Sequence, residues 1–126
     1  MELLGIWKLA GMVSADENGL KMLSLEEVEE LANEDGDIGK MLCADFILSE
    51  NAIEVYYMPK EEEMPLVEEE GWELTDKGVM IDSYPAKIVD GTVFLDYERD
   101  GREYTPVDTD ENGCLIIGGM MKIEKV

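Results

Sequence analysis

Turn dipeptides, repeated between short apolar segments, are the feature that most restricts how this chain can fold. Asn or Asp followed by Gly tolerates the positive φ angles that tight hairpin turns require. Such dipeptides occur at Asn18-Gly19, Asp90-Gly91, Asp100-Gly101 and Asn112-Gly113. The segments between them alternate apolar and polar residues, as half-buried strands do. The series predicts successive β-hairpins, with a type I′ turn at Asp90-Gly91.

A meander of about eight to ten antiparallel strands either splits into two packed sheets or closes on itself. We expect closure, because no other part of the chain could cover the exposed strand edges. Residues 1–126 are therefore predicted to form a single domain, which is a mostly β, small antiparallel up-and-down barrel. One short helix is expected after the first strand.

The sequence indicates one helix, over residues 24–33. Ser24 and Glu27 have the spacing of a capping box, and an apolar stripe follows them. Residues 41–48 alternate in hydrophobicity and are predicted to form a strand. Residues 60–70 carry two Glu triplets around a Met-Pro pair, so we expect a loop there.

The composition disfavours several classes of function. Asp and Glu number 31 against 10 Lys and Arg, which gives a net charge of −21. Nucleic-acid phosphates and anionic lipid surfaces would repel such a chain, so neither is expected as a partner. The chain has no histidine, no G-x-S-x-G elbow and no phosphate-binding glycine loop. We therefore expect a protein that is not an enzyme and has no cofactor.

Metal and disulfide sites are likewise not indicated. Residues 108–113 resemble the first half of a calcium loop, but Gly119 stands where that loop needs a bidentate Glu. An acidic hairpin turn without a metal is expected instead. Cys43 and Cys114 fit no metal spacing, and the sequence leaves both free thiols and a disulfide open.

No run of apolar residues approaches the ~20 that a membrane helix needs, and no secretory signal pattern begins the chain. The default expectation is a cytoplasmic protein. A secreted or surface form stays open in case a signal segment has been removed.

The segment Gly5-Ile6-Trp7-Lys8-Leu9, followed by a short helix and a hairpin series, resembles the calycin superfamily of lipocalins and fatty-acid-binding proteins. Small bacterial lipocalin-like domains are the members that it resembles most. The resemblance implies that Gly5 and Trp7 open the barrel and that a basic residue of the last strand packs over the indole. Lys122 is the candidate for that basic residue. Leu95-Asp96-Tyr97 is similar to the lipocalin Thr-Asp-Tyr turn motif.

The same resemblance implies a non-enzymatic binding module for a small, largely apolar ligand. Fatty-acid-binding proteins hold a carboxylate with an Arg-x-Tyr pair on the final strand, where this chain has Lys122-Ile123-Glu124. We therefore expect a neutral or cationic ligand. Nine side chains are predicted to line the interior: Phe46, Leu48, Val55, Tyr57, Trp72, Val93, Leu95, Tyr97 and Met121.

Two alternatives remain open at this point. The nine side chains could simply fill a small barrel as packed core, because about eight strands enclose little more than their own side chains. The function could also be that of an acidic protein-interaction module whose carboxylate-rich loops meet a basic protein partner.

Overall fold

The structure is a computed structural model that describes residues 3–126, apart from the side chains at positions 15 and 16. Strands predominate, and three short α-helices lie between them in this described part of the chain. In chain order the elements are β1 (Gly5–Asp16), β2 (Gly19–Leu23), α1 (Leu25–Ala32), α2 (Gly36–Cys43), β3 (Asp45–Leu48), β4 (Ala52–Tyr57), a 3-10 turn (Glu61–Glu63), α3 (Met64–Glu70), β5 (Val79–Val89), β6 (Thr92–Leu95), β7 (Thr105–Pro106), β8 (Asp108–Thr109), β9 (Leu115–Ile117) and β10 (Met121–Lys125).

The strands form a nearly closed, antiparallel up-and-down barrel, which confirms the predicted fold class. Neighbouring strands follow the order β7-β6-β5-β4-β3-β1-β10-β9-β8, and β2 pairs with the second half of β1 outside this path. The two ends of the order, β7 and β8, are separated in the chain by Val107 alone. The chain itself therefore joins the two ends of the sheet.

We call the region around Val107, where the ends of the sheet meet, the seam. The N–H of Val107 donates to the carbonyl of Val93 on β6 at 2.8 Å, and β8 pairs with β9 directly afterwards. The side chains of Val107, Val93 and Ile117 are all buried. Pro106 still pairs with Phe94 on β6, whereas Asp108, two residues on, already pairs with Ile116 on β9.

Trp7 lies inside the barrel, on the face of β1 that the alternation predicts. Its side chain is completely buried, and its indole N–H donates to the carbonyl of Leu3 at 2.9 Å. Leu9 is buried on the same face, whereas Ile6 is exposed on the other. One cluster of buried side chains, drawn from α1 and from strands around the barrel, occupies the interior. The barrel is therefore packed around this tryptophan.

The predicted helix is confirmed as α1, with its capping box. The Ser24 side chain accepts from the Glu27 N–H, and the Glu27 carboxylate accepts from the Ser24 N–H, each at 3.3 Å. Val28 is the buried residue of the helix. The helix was expected directly after the first strand, but β2 lies between β1 and α1. The turn at Asn18-Gly19 makes that additional strand a hairpin partner of β1.

A second helix, α2, begins where only a turn was expected, and the prediction of a strand over residues 41–48 is wrong for its first three residues. The Asp35 side chain caps α2 by accepting a backbone N–H two residues on, at 3.0 Å. Apolar residues at helical spacing pack partly against the core: Ile38, Met41 and Leu42. Because Leu42 also continues the alternation of β3, the periodicity did not separate helix from strand.

The prediction of a loop over residues 60–70 is also wrong, because α3 and a 3-10 turn form there. Pro65 lies in the first turn of α3, where its missing N–H costs no helical hydrogen bond. Val67 is buried beneath the helix, and Gly71 ends it with a left-handed φ of 70°. One buried side chain thus holds a strongly acidic helix on the barrel.

The later hairpins follow the turn dipeptides. Asp90 and Gly91 both have positive φ, 50° and 79°, as a type I′ turn requires. β5 is one continuous strand that pairs with β4 as far as Pro85 and with β6 from Ala86 onward. The turn at Asp100-Gly101 predicts a strand over residues 102–107, and this prediction is too long, since only β7 of that stretch pairs.

Candidate functional site

Most of the nine predicted lining residues belong to the packed core rather than to an open cavity. Five of them are almost completely buried and form one cluster with Trp7, and two more, Tyr97 and Met121, pack partly against it; the five are Phe46, Leu48, Val55, Val93 and Leu95. Side chains therefore fill the middle of the barrel. This placement corresponds to the packed-core alternative.

Tyr57 and Trp72 lie elsewhere, in a groove at the end of the barrel where β4 ends and β5 begins. We call it the end groove, and its volume is about 420 Å³. Helix α2, the end of β4, α3 and the start of β5 form its walls. Its lining residues are Asp37, Lys40, Met41, Tyr57, Pro59, Glu63, Val67, Trp72, Val79, Met80 and Ile81.

A β-bulge shapes one wall of the end groove. Tyr56 pairs with Met80 and Val55 with Asp82, so Ile81 is the extra residue between them. A bulge redirects the strand locally, and both Met80 and Ile81 line the groove as a result. Met80 is 48 % exposed and Trp72 is 44 % exposed. The groove thus presents large apolar side chains to solvent.

A short hydrogen bond crosses the floor of the end groove. The Tyr57 hydroxyl donates to the Glu63 carboxylate at 2.5 Å, and the Lys60 N–H donates to the same oxygen at 3.1 Å. The hydrogen bond to Glu63 is the largest cause, and burial the next largest, of a rise in the pKa of Tyr57 to about 12. The same bond, followed by the one from Lys60, lowers the pKa of Glu63. At neutral pH the pair is therefore a phenol bound to a carboxylate.

A second, more polar cavity of about 390 Å³ lies on the other side of this pair; we call it the side cavity. Lys40, Tyr57 and Glu63 line both spaces and form the wall between them. The remaining side-cavity residues come mainly from α2 and the 3-10 turn: Ala32, Gly36, Gly39, Leu42, Cys43, Lys60 and Glu62.

Tyr97 lies at the seam, away from the end groove. Its hydroxyl accepts from the Gly118 N–H at 2.9 Å and so connects the loop after β6 to the turn before β10. A cavity of about 480 Å³ beside this bond is lined also by Pro106 and Asp108. Tyr97 thus bridges the part of the seam where no ladder forms.

Asp96, which precedes Tyr97, is the one buried carboxylate among the side chains that the structure describes. Its side chain is 1 % exposed and accepts from the N–H of Arg99 at 3.0 Å and from the N–H of Gly101 at 2.6 Å. Its own N–H donates to the carbonyl of Pro85 at 3.0 Å. The Leu95-Asp96-Tyr97 segment therefore organises the turn after β6.

Gly5 and Trp7 lie at the start of the barrel beside Lys125 rather than Lys122. Trp7 is the cross-strand partner of Lys125, and a Cβ on Gly5 would stand 2.8 Å from the Lys125 ammonium. Lys122 forms an ion pair with Asp110 at 3.2 Å. The basic residue of the last strand that lies next to the tryptophan is thus Lys125.

Several other polar side chains form hydrogen bonds or ion pairs within the fold. The Asp110 carboxylate accepts from the N–H groups of Asn112 and Cys114, each at 2.9 Å, which fits an acidic hairpin turn. Backbone hydrogen bonding from Cys114 is the main cause that lowers the pKa of Asp110. Asp45 pairs with Lys8 at 2.7 Å. Both cysteines are free thiols, with Cys43 exposed and Cys114 buried.

The sequence-based prediction missed Lys40, Met41, Glu63, Met80 and Ile81. The prediction places Met41 in a strand and Glu63 in a solvated loop, and neither placement brings the residue close to Tyr57. The spacing from Asp37 to Met41 suits one helical face and could have indicated the first wall.

Comparison of the chain with protein-family models, curated proteins and solved structures gives no match. Within residues 3–126, no helix has both the length and the apolar character needed to span a bilayer.

Proposed function

We propose that this protein is a non-enzymatic, lipocalin-like binding module that takes a small, largely apolar molecule in the end groove. The observation that supports the proposal is an open groove of about 420 Å³ whose walls carry Trp72, Met80 and Ile81 exposed to solvent. Ligand sites in proteins begin at about 300 Å³ and combine apolar walls with a few polar groups.

The place of binding differs from that of the family this chain resembles, where the ligand lies inside the barrel. Here the interior holds Phe46, Leu95 and their neighbours as a packed core. The end groove instead lies between α2, α3 and the end of the barrel where β4 ends and β5 begins. A ligand seated there would cover the exposed apolar side chains without disturbing the core.

The polar pair on the groove floor supports binding rather than chemistry. A tyrosine is a nucleophile or a base only as the phenolate, and a pKa of about 12 keeps Tyr57 protonated at neutral pH. Glu63 is held as an anion by two hydrogen bonds. The pair therefore fixes the floor and offers oxygen atoms to a ligand.

Binding of N-phenyl-1-naphthylamine, a neutral apolar probe whose emission rises in apolar sites, tests the proposal. We expect saturable binding that Met80→Ala weakens by about fivefold, because one apolar contact surface is lost. Met120→Ala is the matched control, since Met120 is 61 % exposed and lies outside the lining of the groove. Absence of saturable binding, or equal effects of the two variants, would contradict the proposal.

A further inference from the structure

The polar groups that line the end groove are mainly hydrogen-bond acceptors. Asp37 and Glu63 contribute carboxylates. The Tyr57 hydroxyl already donates its hydrogen bond to Glu63, so towards a ligand its oxygen can act only as an acceptor. Lys40 is the one basic side chain among the lining residues that the structure describes. A ligand that supplies donors and positive charge would satisfy these groups best.

The apolar walls suit a weakly hydrated cation as well. An aromatic face attracts an organic cation through its quadrupole, and Trp72 lines the groove with 44 % of its surface exposed. Met41 and Met80 add polarisable thioethers that adapt to ligands of irregular shape.

The negative charge around the groove also favours a cationic ligand. Between Lys60 and Lys77, the segment that contains α3 and leads towards β5, every charged residue is acidic. The whole chain carries a net charge of −21. Fields of this sign raise the local concentration of cations and lower that of anions.

We propose that the end groove selects organic cations, namely a protonated amine or quaternary ammonium group attached to an apolar body. The inference rests on the proposed binding function and adds the chemical class of the ligand. The ammonium group lies near Glu63 and Asp37, and the apolar body lies against Trp72 and Met80. Lys40 and Lys60 offset part of the Glu63 charge: after the hydrogen bonds from Tyr57 and from the Lys60 N–H, the ammonium groups of both lysines also lower the Glu63 pKa.

Three probes with the same decyl chain and different head groups test the selection: decyltrimethylammonium, decanol and undecanoate. Calorimetric titrations are made below the micelle concentrations in about 0.15 M salt, where the Debye length is about 8 Å and distant charges are screened. We expect the ammonium probe to bind at least about tenfold more tightly than undecanoate, with decanol between them.

Two variants should change the affinity for the ammonium probe in opposite directions. Glu63→Gln should weaken binding of the ammonium probe roughly threefold to tenfold more than it weakens binding of decanol. Lys40→Gln should tighten binding of the ammonium probe by a few fold, because the competing positive charge is gone. Glu29→Gln, at an exposed position of α1, is the control with the same change in net charge as Glu63→Gln.

The outcomes separate this inference from the proposed function. Saturable decanol binding without preference for the ammonium probe would overturn the cation selection and leave the binding function standing. Equal effects of Glu63→Gln and Glu29→Gln would also overturn it, since only the overall charge would then matter. If none of the three probes binds while the protein remains folded by circular dichroism, the proposed function fails as well.

Discussion

Replacement of Asp96 by alanine tests how the barrel wall is held at the turn after β6. The buried carboxylate accepts two backbone N–H groups, from Arg99 and Gly101. Hydrogen bonds to a charged group contribute about 1.5–3 kcal/mol each, so the loss of both should destabilise the fold by about 3 kcal/mol. Asp96→Asn keeps one acceptor oxygen and should cost about half as much.

Urea unfolding followed by circular dichroism measures this effect. With a slope of about 2 kcal/mol per molar urea, Asp96→Ala should lower the midpoint by about 1.5 M. Glu98→Ala is the control, because it removes an exposed carboxylate from the same turn and should leave the midpoint nearly unchanged. Equal midpoints for the two variants would refute the role assigned to the Asp96 carboxylate.

Three further predictions concern the close approach of two strands, the seam and the groove floor. Gly78→Ala should destabilise the folded protein by more than about 2 kcal/mol, measured by urea unfolding. The added Cβ would lie 2.5 Å from the Tyr57 carbonyl oxygen, and the backbone there has a φ of +112°. Gly36→Ala is the control and should be tolerated, because a Cβ at that position meets open space. Tyr97→Phe removes the hydroxyl that accepts the Gly118 N–H at the seam, so the free energy of unfolding should fall by about 1 kcal/mol in the same urea assay. Phe94→Leu serves there as the reference for a change that alters only packing. The raised pKa of Tyr57 means that the folded state holds this proton more tightly than the unfolded state, so its stabilising contribution is complete below pH 10 and is lost between pH 10 and 12. Absorbance at 295 nm should show a tyrosine titrating near pH 12, and its persistence in Tyr57→Phe would contradict the assignment.

The sequence predicts the fold well where the signals are local. Asp90-Gly91 determines its type I′ turn through two positive φ angles, and Ser24 with Glu27 determines the start of α1. Alternation along β1 places Trp7 inside the barrel. Each of these features depends on residues that are close in the chain, so the pattern is visible without the structure.

The rest depends on packing between distant segments. Alternation shows that Phe46 and Leu95 point inward, but whether they surround a cavity or fill it depends on how far the barrel closes at Val107. The end groove joins residues 37–41, 57–67 and 72–81 through a bulge and two short helices. Neither the bulge at Ile81 nor the burial of Val67 leaves a local signal in the sequence.

A packed barrel with an external groove also explains the division of roles among the aromatic residues. Trp7 is completely buried and stabilises the core, whereas Trp72 is half exposed and free to meet a ligand. Tyr97 closes the seam, and Tyr57 holds the groove floor through Glu63. Structure and proposed binding are therefore assigned to different residues and can be perturbed separately.

Methyl NMR of methionine- and isoleucine-labelled protein, titrated with decyltrimethylammonium, tests most directly whether the ligand binds outside a filled barrel. We expect shifts at the groove methyl groups of Met41, Met80 and Ile81 and unchanged signals from the core methyl groups of Ile53, Ile117 and Ile123. Shifts of the core signals with the groove signals unchanged would place the ligand inside the barrel and contradict binding in the end groove.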